Sequence, residues 1–478
     1  MRPFAAIVLL ALCGCAVGPD FHEPAPPAAA AYTRQSPPER TVAAGATQSF
    51  ATAEHAPDAW WTEFHNEALN RLVDQALHDS PTLAQAQARL RQASETYAAQ
   101  AGGTRYPQIN ASVSGTRQQL DLAALGIPNA PSTGPFSLFD ASLNVTYILD
   151  IFGGNRRALE ETLAQVDYAS FELEAARLAL AGNVVATVIR RASLARQIEL
   201  TRHIEAGQAQ QLAILEKRLA AGGVAEVDVR AMRTLLEQTR AALPPLTTQL
   251  AQSEHLLAVL LGVEPAGADI GDIALDSLRL PDAVPLTLPS TLARERPDIR
   301  AAEAVLHQAS AQVGVATANL YPQFVISAGL GSERSRIEDV VNGTNVWNVG
   351  LNLTQPILHG GELRARKRAA EAAYAAAFAG YRQVVLQALQ QVADVLVALQ
   401  NDAGELEARD RATREAEAAL ATSRARLAVG GISQFGLLDS ERQALQTGLD
   451  LTQAQAARLT DTAAQFQALG SSPLGNKP

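Results

Sequence analysis

Phe139-Asp140-Ala141-Ser142-Leu143-Asn144-Val145-Thr146-Tyr147-Ile148-Leu149 is the stretch on which the fold turns, and Trp347-Asn348-Val349-Gly350-Leu351-Asn352-Leu353-Thr354 is its counterpart later in the chain. In a strand, successive side chains point to opposite faces. Phe139, Ala141, Leu143, Val145, Tyr147 and Leu149 therefore share an apolar face, and Asp140, Ser142, Asn144 and Thr146 share a small-polar one. Period-two alternation over about ten residues is the pattern of a strand with lipid on one side and water on the other. A soluble sandwich with one wet face reads the same way, but four strands make a poor sandwich. The strands expected before these two, near Ile109–Thr116 and Phe324–Gly331, alternate less cleanly. Polar loops, Gln119–Pro135 and Ser332–Thr344, link each pair. Four strands cannot close a barrel with a usable lumen, since small barrels start at about eight, so closure demands several chains.

The two strand pairs belong to a longer repetition. Arg105-Tyr106-Pro107-Gln108 recurs as Leu320-Tyr321-Pro322-Gln323, 215 positions on. Gly153-Gly154 recurs as Gly360-Gly361 after 207 positions. Arg218-Leu219-Ala220-Ala221-Gly222-Gly223 recurs as Arg426-Leu427-Ala428-Val429-Gly430-Gly431 after 208, and Leu261-Gly262 answers Leu469-Gly470 after 208. Landmarks in one order at near-constant offset indicate an internal duplication.

Each copy also carries helix. Proline is absent between Pro135 and Pro244 and again between Pro356 and Pro473; inside a helix it costs about 3 kcal/mol. From about Arg157 to Leu219 the sequence is Ala, Leu, Glu, Arg and Gln with few breaks, enough for a helix on the order of 95 Å. Periodic helix of that length implies coiled-coil-like packing. The Gly-Gly steps at 222–223 and 430–431 permit reversals, so each copy is expected to end in a long helical hairpin. A dimeric fibrous coiled coil would explain these helices, but not the strands.

The composition agrees. Of 478 residues, 47% are hydrophobic but only 5% aromatic, and the formal net charge is −10. Alanine-rich sequence dotted with Gln, Arg and Glu suits long, close-packed helices, and the acidic balance without a basic patch excludes nucleic acid as a partner. At the N-terminus, Arg2 precedes an apolar run from Phe4 to Leu12, too short to span a bilayer but fit for a secretory signal. No other stretch approaches 18 consecutive apolar residues, so no transmembrane helix is expected. The run ends in Leu12-Cys13-Gly14-Cys15, which resembles the lipobox of bacterial lipoproteins. That resemblance makes Cys15 the acylated first residue of the mature chain, with Ala16 after it favouring the outer membrane. The alternative is an ordinary signal peptide with incidental cysteines. Cys13 would leave with the signal, so no disulfide is expected. Residues 16–57, rich in Pro and Ala, read as an extended tether; Trp60-Trp61 and Phe64 open the folded part.

Leu292-Ala293-Arg294-Glu295-Arg296-Pro297-Asp298-Ile299-Arg300-Ala301-Ala302-Glu303, followed by Gly314-Val315-Ala316 and Tyr321-Pro322, resembles the signature of TolC-like outer-membrane efflux proteins, in the NodT-type lipoprotein branch. Cys15-Ala16-Val17-Gly18-Pro19-Asp20-Phe21 and Trp60-Trp61-Thr62-Glu63-Phe64 are similar to that branch too. The resemblance implies an α+β membrane protein in the bacterial outer membrane. As a homotrimer it would close a twelve-stranded barrel and join its helices into an antiparallel coiled-coil tunnel across the periplasm. A periplasmic adaptor (membrane fusion) protein and an inner-membrane pump of the resistance-nodulation-division class would be its partners, and small toxic compounds its cargo. The outlet of a type I secretion system, or a structural envelope lipoprotein without a channel, are the alternatives. The domains expected are a signal at 1–14, a lipid-anchored tether at 15–57, repeats at 58–275 (strands about 108–118 and 137–149) and 276–472 (strands about 323–332 and 345–356), and a tail at 473–478.

By the same resemblance Asp228, Asp439 and Arg442 fall in the periplasmic gate, with Gly436 where some members carry a second acid. Asp228 and Asp439 read equally as helix-start residues favourable to the dipole, and Arg442 as a surface ion-pair partner. The hairpin tips, Arg218, Gly222, Gly223 and Val224 in the first copy and Arg426, Gly430, Gly431, Ile432 and Ser433 in the second, are the expected adaptor contacts; turn chemistry alone would also explain their glycines. The eight histidines (22, 55, 65, 78, 203, 255, 307 and 359) are scattered without a ligand-spaced pair. No phosphate-cradling loop, nucleophile elbow or Cys-x-x-Cys is present. No cofactor, metal or enzymatic activity is expected.

Overall fold

The computed structural model describes residues 16–34, 39–52, 57–119 and 134–470. Its chain divides into two compact units. The first holds residues 89–169 and 302–381 with the N-terminal residues to Pro24, and is built on a sheet of four antiparallel strands. The strands are β3 (Gln108–Gln118), β4 (Phe136–Leu149), β6 (Gln323–Arg334) and β7 (Val346–Thr354), in the order β3-β4-β6-β7. Tyr147 faces Ile326 across the β4–β6 ladder, and Ala328 faces Val349 across the β6–β7 ladder. β3 and β7 are the edges, each with one side unpaired within the chain. All four expected strands are present within a few residues of their expected bounds. β6 runs on to Arg334 before a short 3-10 turn at Ile337–Asp339, so the expected second loop begins later than Ser332. The strand flank of the first loop, 120–133, lies outside the described residues.

Alternation places exposed apolar side chains along one face: Trp347, Val349, Leu351 and Leu353 are more than half exposed, as are Ile109 and Val113. An exposed apolar strip of this kind, rimmed by polar positions, marks a surface that is covered in use.

Also in this unit, residues 16–21 lie as a strap over two helices. These are the first turns of α3 (Gly154–Ala220) and the helix α6 (Pro297–Ala318). Val17 N–H donates to the Phe152 carbonyl (3.0 Å). A Cβ on Gly18 would fall 2.5 Å from Gly314 Cα, which explains glycine at both positions. Arg157, nearly buried, donates to Asp20 (2.6 Å) and Glu160 (2.7 Å), and Phe21 stacks on His307 at 4.3 Å.

The second unit, residues 25–88, 170–301 and 382–478, contains most of the length of the long helices. α3 spans 67 residues and α7 (Glu362–Ala428) also spans 67; α7 begins 208 positions after α3. α4 (Glu226–Leu260) and α8 (Gln434–Leu469) are again 208 apart at their starts. The duplication read from short landmarks is thus a duplication of helical hairpins. One 18-residue window of α3 is apolar enough by composition to cross a membrane, and 61% of it is buried among the helices, which accounts for its character. α4 continues through Pro244-Pro245, both exposed, so the carbonyls left without an amide partner can bond water. The shorter α1 (Glu67–Asp79), α2 (Pro81–Arg105) and α5 (Pro289–Glu295) complete the set.

The stretch 15–57 is not an extended tether throughout. β1 (Arg40–Ala43) and β2 (Ala46–Thr52) form an antiparallel hairpin, and β2 pairs in parallel with β5 (Ala283–Leu286). Arg458 of α8, fully buried, fixes this sheet by donating to Thr41 Oγ1 (2.6 Å) and to the Leu399 carbonyl. Trp60 and Phe64 are buried as expected, with Trp60 stacked on Phe466 at 5.7 Å. Arg296 of the Arg-Pro-Asp motif is also buried. It holds Asp298 with two hydrogen bonds (2.8 Å each), the Ala468 carbonyl at 2.9 Å and Gln391 at 2.6 Å, so the motif closes the C-terminal end of α8.

Candidate functional site: the hairpin tips and their seam

Both long hairpins turn by the same backbone device. Gly222 (φ +74°) and Gly430 (φ +75°) take the left-handed conformation one residue past the C-cap. Gly223 N–H donates to the Arg218 carbonyl (2.8 Å) and Gly222 N–H to Leu219 (2.9 Å); Gly431 and Gly430 repeat these bonds to Arg426 (2.7 Å) and Leu427 (3.1 Å). This is the Schellman motif, which spends carbonyls that the helix end leaves orphaned. The second hairpin then restarts on Ser433, whose Oγ accepts from Gly436 N–H at 3.2 Å. Val429 and Phe435 at this tip are exposed, whereas Val224 at the first tip packs on an apolar cluster.

Each expected gate residue closes on its own helix. Asp228, in the first turn of α4, accepts from the backbone N–H of Ala225 at 3.2 Å, which caps the helix. Asp439 and Arg442 pair at 2.8 Å one turn apart, both well exposed. Neither contact crosses from one hairpin to the other. Cys15 lies outside the described residues.

A link near the tips that does cross is one that sequence reading missed. Glu441 of α8, 4% exposed, accepts from Gln211 Nε2 of α3 at 2.5 Å, and Arg424 of α7 approaches the same oxygen at 3.5 Å. Burial pushes the Glu441 carboxyl up, against the opposing pull of Gln211 and Arg424. On α3, one turn before Gln211, Gln208 is 1% exposed and neither of its side-chain polar atoms has a partner; Gln211 Oε1 and Glu441 Oε2 lack one too. Beneath lies the apolar cluster of Leu215, Val229, Met232 and Leu438, contributed by α3, α4 and α8. Nothing in the sequence separates Glu441 from the other acids of an Arg/Glu/Gln-rich helix; the pseudo-symmetric position, Arg233, is the one available signal. Arg233 pairs with Glu216 at 2.6 Å, and both stand 208 positions before Glu441 and Arg424. The two hairpins therefore carry the same ion pair with its charges exchanged. Likewise Leu215 and Met232 are replaced 208 positions on by Ser423 and Ser440, which hydrogen-bond at 2.8 Å.

Among the described residues no group of three or more His, Cys, Asp or Glu side chains is placed to hold a metal. What the arrangement offers is a set of helices joined near the hairpin tips by a buried polar contact and an apolar cluster. Known proteins are similar to this chain along nearly its full length. The profile of the outer membrane efflux protein family matches residues 72–263 and 288–471, the two repeats. Nodulation protein T of Rhizobium leguminosarum bv. viciae is 29% identical over 450 residues, covering 92% of this chain and 87% of that protein. The pyoverdine export outer membrane protein OpmQ of Pseudomonas putida is 28% identical over 455 residues, with 94% and 96% covered. The solved outer-membrane channel OprN matches with a TM-score of 0.84 at 28% identity, over 96% of this chain and 99% of that one. With both repeats matched and the fold shared along nearly its full length, the chain belongs to the outer membrane efflux protein family and is an efflux channel of the outer membrane.

Proposed function

We propose that three copies of the chain assemble into one channel, the β3 edge of one copy pairing with the β7 edge of the next to close a twelve-stranded barrel. The observation that carries this reading is the four-stranded sheet with both edges unpaired and an apolar strip along one face, a surface that only closure and lipid would satisfy. The repeats at 58–275 and 276–472 then supply one hairpin each, two per chain, to a six-hairpin wall. Small toxic compounds pass along it, delivered by an inner-membrane pump of the resistance-nodulation-division class through a periplasmic adaptor. The adaptor contacts the tips around Arg218, Gly222, Gly223, Val224, Arg426, Gly430, Gly431, Ile432 and Ser433. Asp228, Asp439 and Arg442 form the charged mouth of the gate, and Cys15 is acylated, anchoring the chain in lipid. No catalysis is assigned to the protein. Light scattering of the detergent-purified protein, with planar-bilayer recording of the same sample, tests this: a mass of three chains and stepwise conductance are expected, and a monomer or dimer, or a bilayer that stays silent, overturns it.

A further inference from the structure

Charge at one end of the four-stranded sheet is sorted by face. The ladders fix which end this is. Gln108 faces Thr146, Leu149 faces Phe324 and Gln323 faces Thr354, and these are the strand ends at which the chain passes to and from the helices of this unit. Arg117 and Arg334 lie at the opposite end, which is turned outward in an outer-membrane channel whose helices lie in the periplasm. Register then assigns the faces. Arg334 pairs with Phe139, and Arg117 pairs with Ser137, two positions along β4 and so on the same side. A Cβ on Gly115 would meet the Phe139 ring at 3.1 Å, which places that ring on this face too. Leu143, Leu330, Ile326 and Trp347 continue the face as the exposed apolar strip. On the other face Asp140 stands directly opposite Glu333.

We propose that Arg117, Arg334 and Arg336 form a docking surface for the phosphate groups of a phosphorylated glycolipid in the outer leaflet, whose acyl chains lie along the apolar strip beneath. The inference rests on the barrel reading above, since closure is what turns this face to lipid. Height supports it. Phe324 and Arg334 are ten positions apart on one face of β6, about 33 Å of strand. At a strand tilt of about 40° that is about 25 Å of height, the depth of the apolar band of an outer-membrane barrel. Arg334 therefore stands where hydrocarbon ends and headgroups begin. Trp347, 76% exposed, faces Leu330 just below it, and an indole favours that boundary.

Charge supports it as well. Arg117 lies two strands from Arg334, about 10 Å across the sheet, and about 7 Å further toward the exterior. Arg336 follows two positions beyond Arg334 on extended backbone (φ −127°, ψ 141°). Arg117 and Arg336 are exposed and Arg334 is half-buried. Among the described residues none of the three forms an ion pair with a carboxylate, and the nearest acids along the strands, Asp140 and Glu333, point to the other face. An anionic headgroup supplies the counter-charge that this face lacks. A guanidinium fork binds two phosphate oxygens at once, and the spread of the three side chains suits a headgroup with more than one phosphate. A zwitterionic headgroup carries its own cation and competes poorly for such a surface.

The test is lipid binding by the detergent-purified assembly, read by native mass spectrometry. The probes are lipopolysaccharide, the same lipid with its phosphates removed, and phosphatidylcholine. Wild type should hold the phosphorylated lipid far more tightly than either other probe. Each arginine replaced by glutamine should weaken that binding about fivefold, and Arg117→Gln, Arg334→Gln and Arg336→Gln together on the order of a hundredfold. Lysine at the same three positions should recover most of the loss, and Asp140→Asn, on the other face, should change nothing. A triple glutamine variant that binds like wild type, or a wild type that does not distinguish the phosphorylated lipid from the dephosphorylated one, overturns the inference. The second comparison needs no variant. An assembly of three chains that conducts but shows no preference for phosphate sinks this inference alone, whereas a sample that stays a single chain refutes the barrel reading and takes the inference with it.

Discussion

Alanine at Gly222 and alanine at Gly223 should have opposite effects, although the residues are adjacent in one turn. Gly222 sits at φ +74° with open space around the position of a Cβ, so a side chain there meets no clash and the whole cost is backbone strain. The left-handed conformation costs an L-residue about 1–2 kcal/mol. Stiffening the unfolded chain returns about 0.5 kcal/mol of that, leaving a net loss of about 1 kcal/mol, or about fivefold in the local opening constant. Gly223 is not in the left-handed region, and its Cβ would lie in ordinary contact, 3.5 Å from the Arg218 carbonyl. Only the unfolded-chain term remains, so Gly223→Ala should tighten the turn about twofold. The assay is amide hydrogen exchange of the tip, read by mass spectrometry on peptides covering 215–226 of the intact protein. Gly222→Ala should exchange about fivefold faster and Gly222→Asn should recover most of that loss. Equal effects of Gly222→Ala and Gly223→Ala would refute the assignment of the turn and return both glycines to a role in binding.

Three other outcomes follow from contacts elsewhere in the chain. Arg157→Met removes the donor that Asp20 and Glu160 share, so limited proteolysis should release the N-terminal strap at once. In wild type the Arg157 guanidinium holds the Asp20 carboxyl below its ordinary range, and that contribution, present above the ordinary Asp value, should be lost only in stronger acid. Burial, with the neighbouring Asp461 carboxyl adding to it, pushes Asp402 up to about 7. Its native state therefore holds a proton that the unfolded chain releases near pH 4, so thermal stability should fall as pH rises from 4 to 7, and Asp402→Asn should flatten that dependence. Leu351→Arg puts a charge into the exposed apolar strip of β7. At the middle of a bilayer this costs about 2–4 kcal/mol, and heat-resistant trimers on a gel should be lost, whereas Asn352→Arg on the opposite face should keep them.

Local signals made some elements legible and left others hidden. β4 and β7 could be read because alternation is a property of one strand and needs no partner. The hairpins could be read because helix, glycine turn and helix occur in sequence. The sheet of β1, β2 and β5 could not: Arg40–Ala43 and Ala46–Thr52 are short and rich in Ala and Thr, and their third strand, which contains Pro285, enters more than 230 residues later. Proline reads as a strand breaker, and it is tolerated here because β5 is an edge strand. The acids expected at the gate are picked out by position relative to a turn, which locates the tip but not the direction of a side chain. Asp228 and Asp439 turn back onto their own helices, whereas Glu441, two residues further along than Asp439, is rotated into the seam.

That rotation also explains why two copies of one unit need not work alike. Near its tip the first hairpin is joined by Leu215 and Met232, buried to 1% and 0%. Burying side chains of this size is worth about 1.5–3 kcal/mol each. The second hairpin holds Ser423 and Ser440 at the same places, and a single hydrogen bond is worth about 0.5–1.5 kcal/mol net. At this level the first hairpin is therefore held by the stronger contact. The exchanged ion pair adds to the difference: Arg233 and Glu216 meet on the exposed flank of the first hairpin, while the second turns its acid inward against Gln211. The opposite interface could not copy that contact, because the positions 208 after Gln208 and Gln211 are Ala416 and Ala419. Duplication supplied two equal rods with equal turns. Substitution at a few positions near the tips then left apolar Leu215 and Met232 joining the first hairpin, and polar Ser423, Ser440 and Glu441 at the corresponding places in the second.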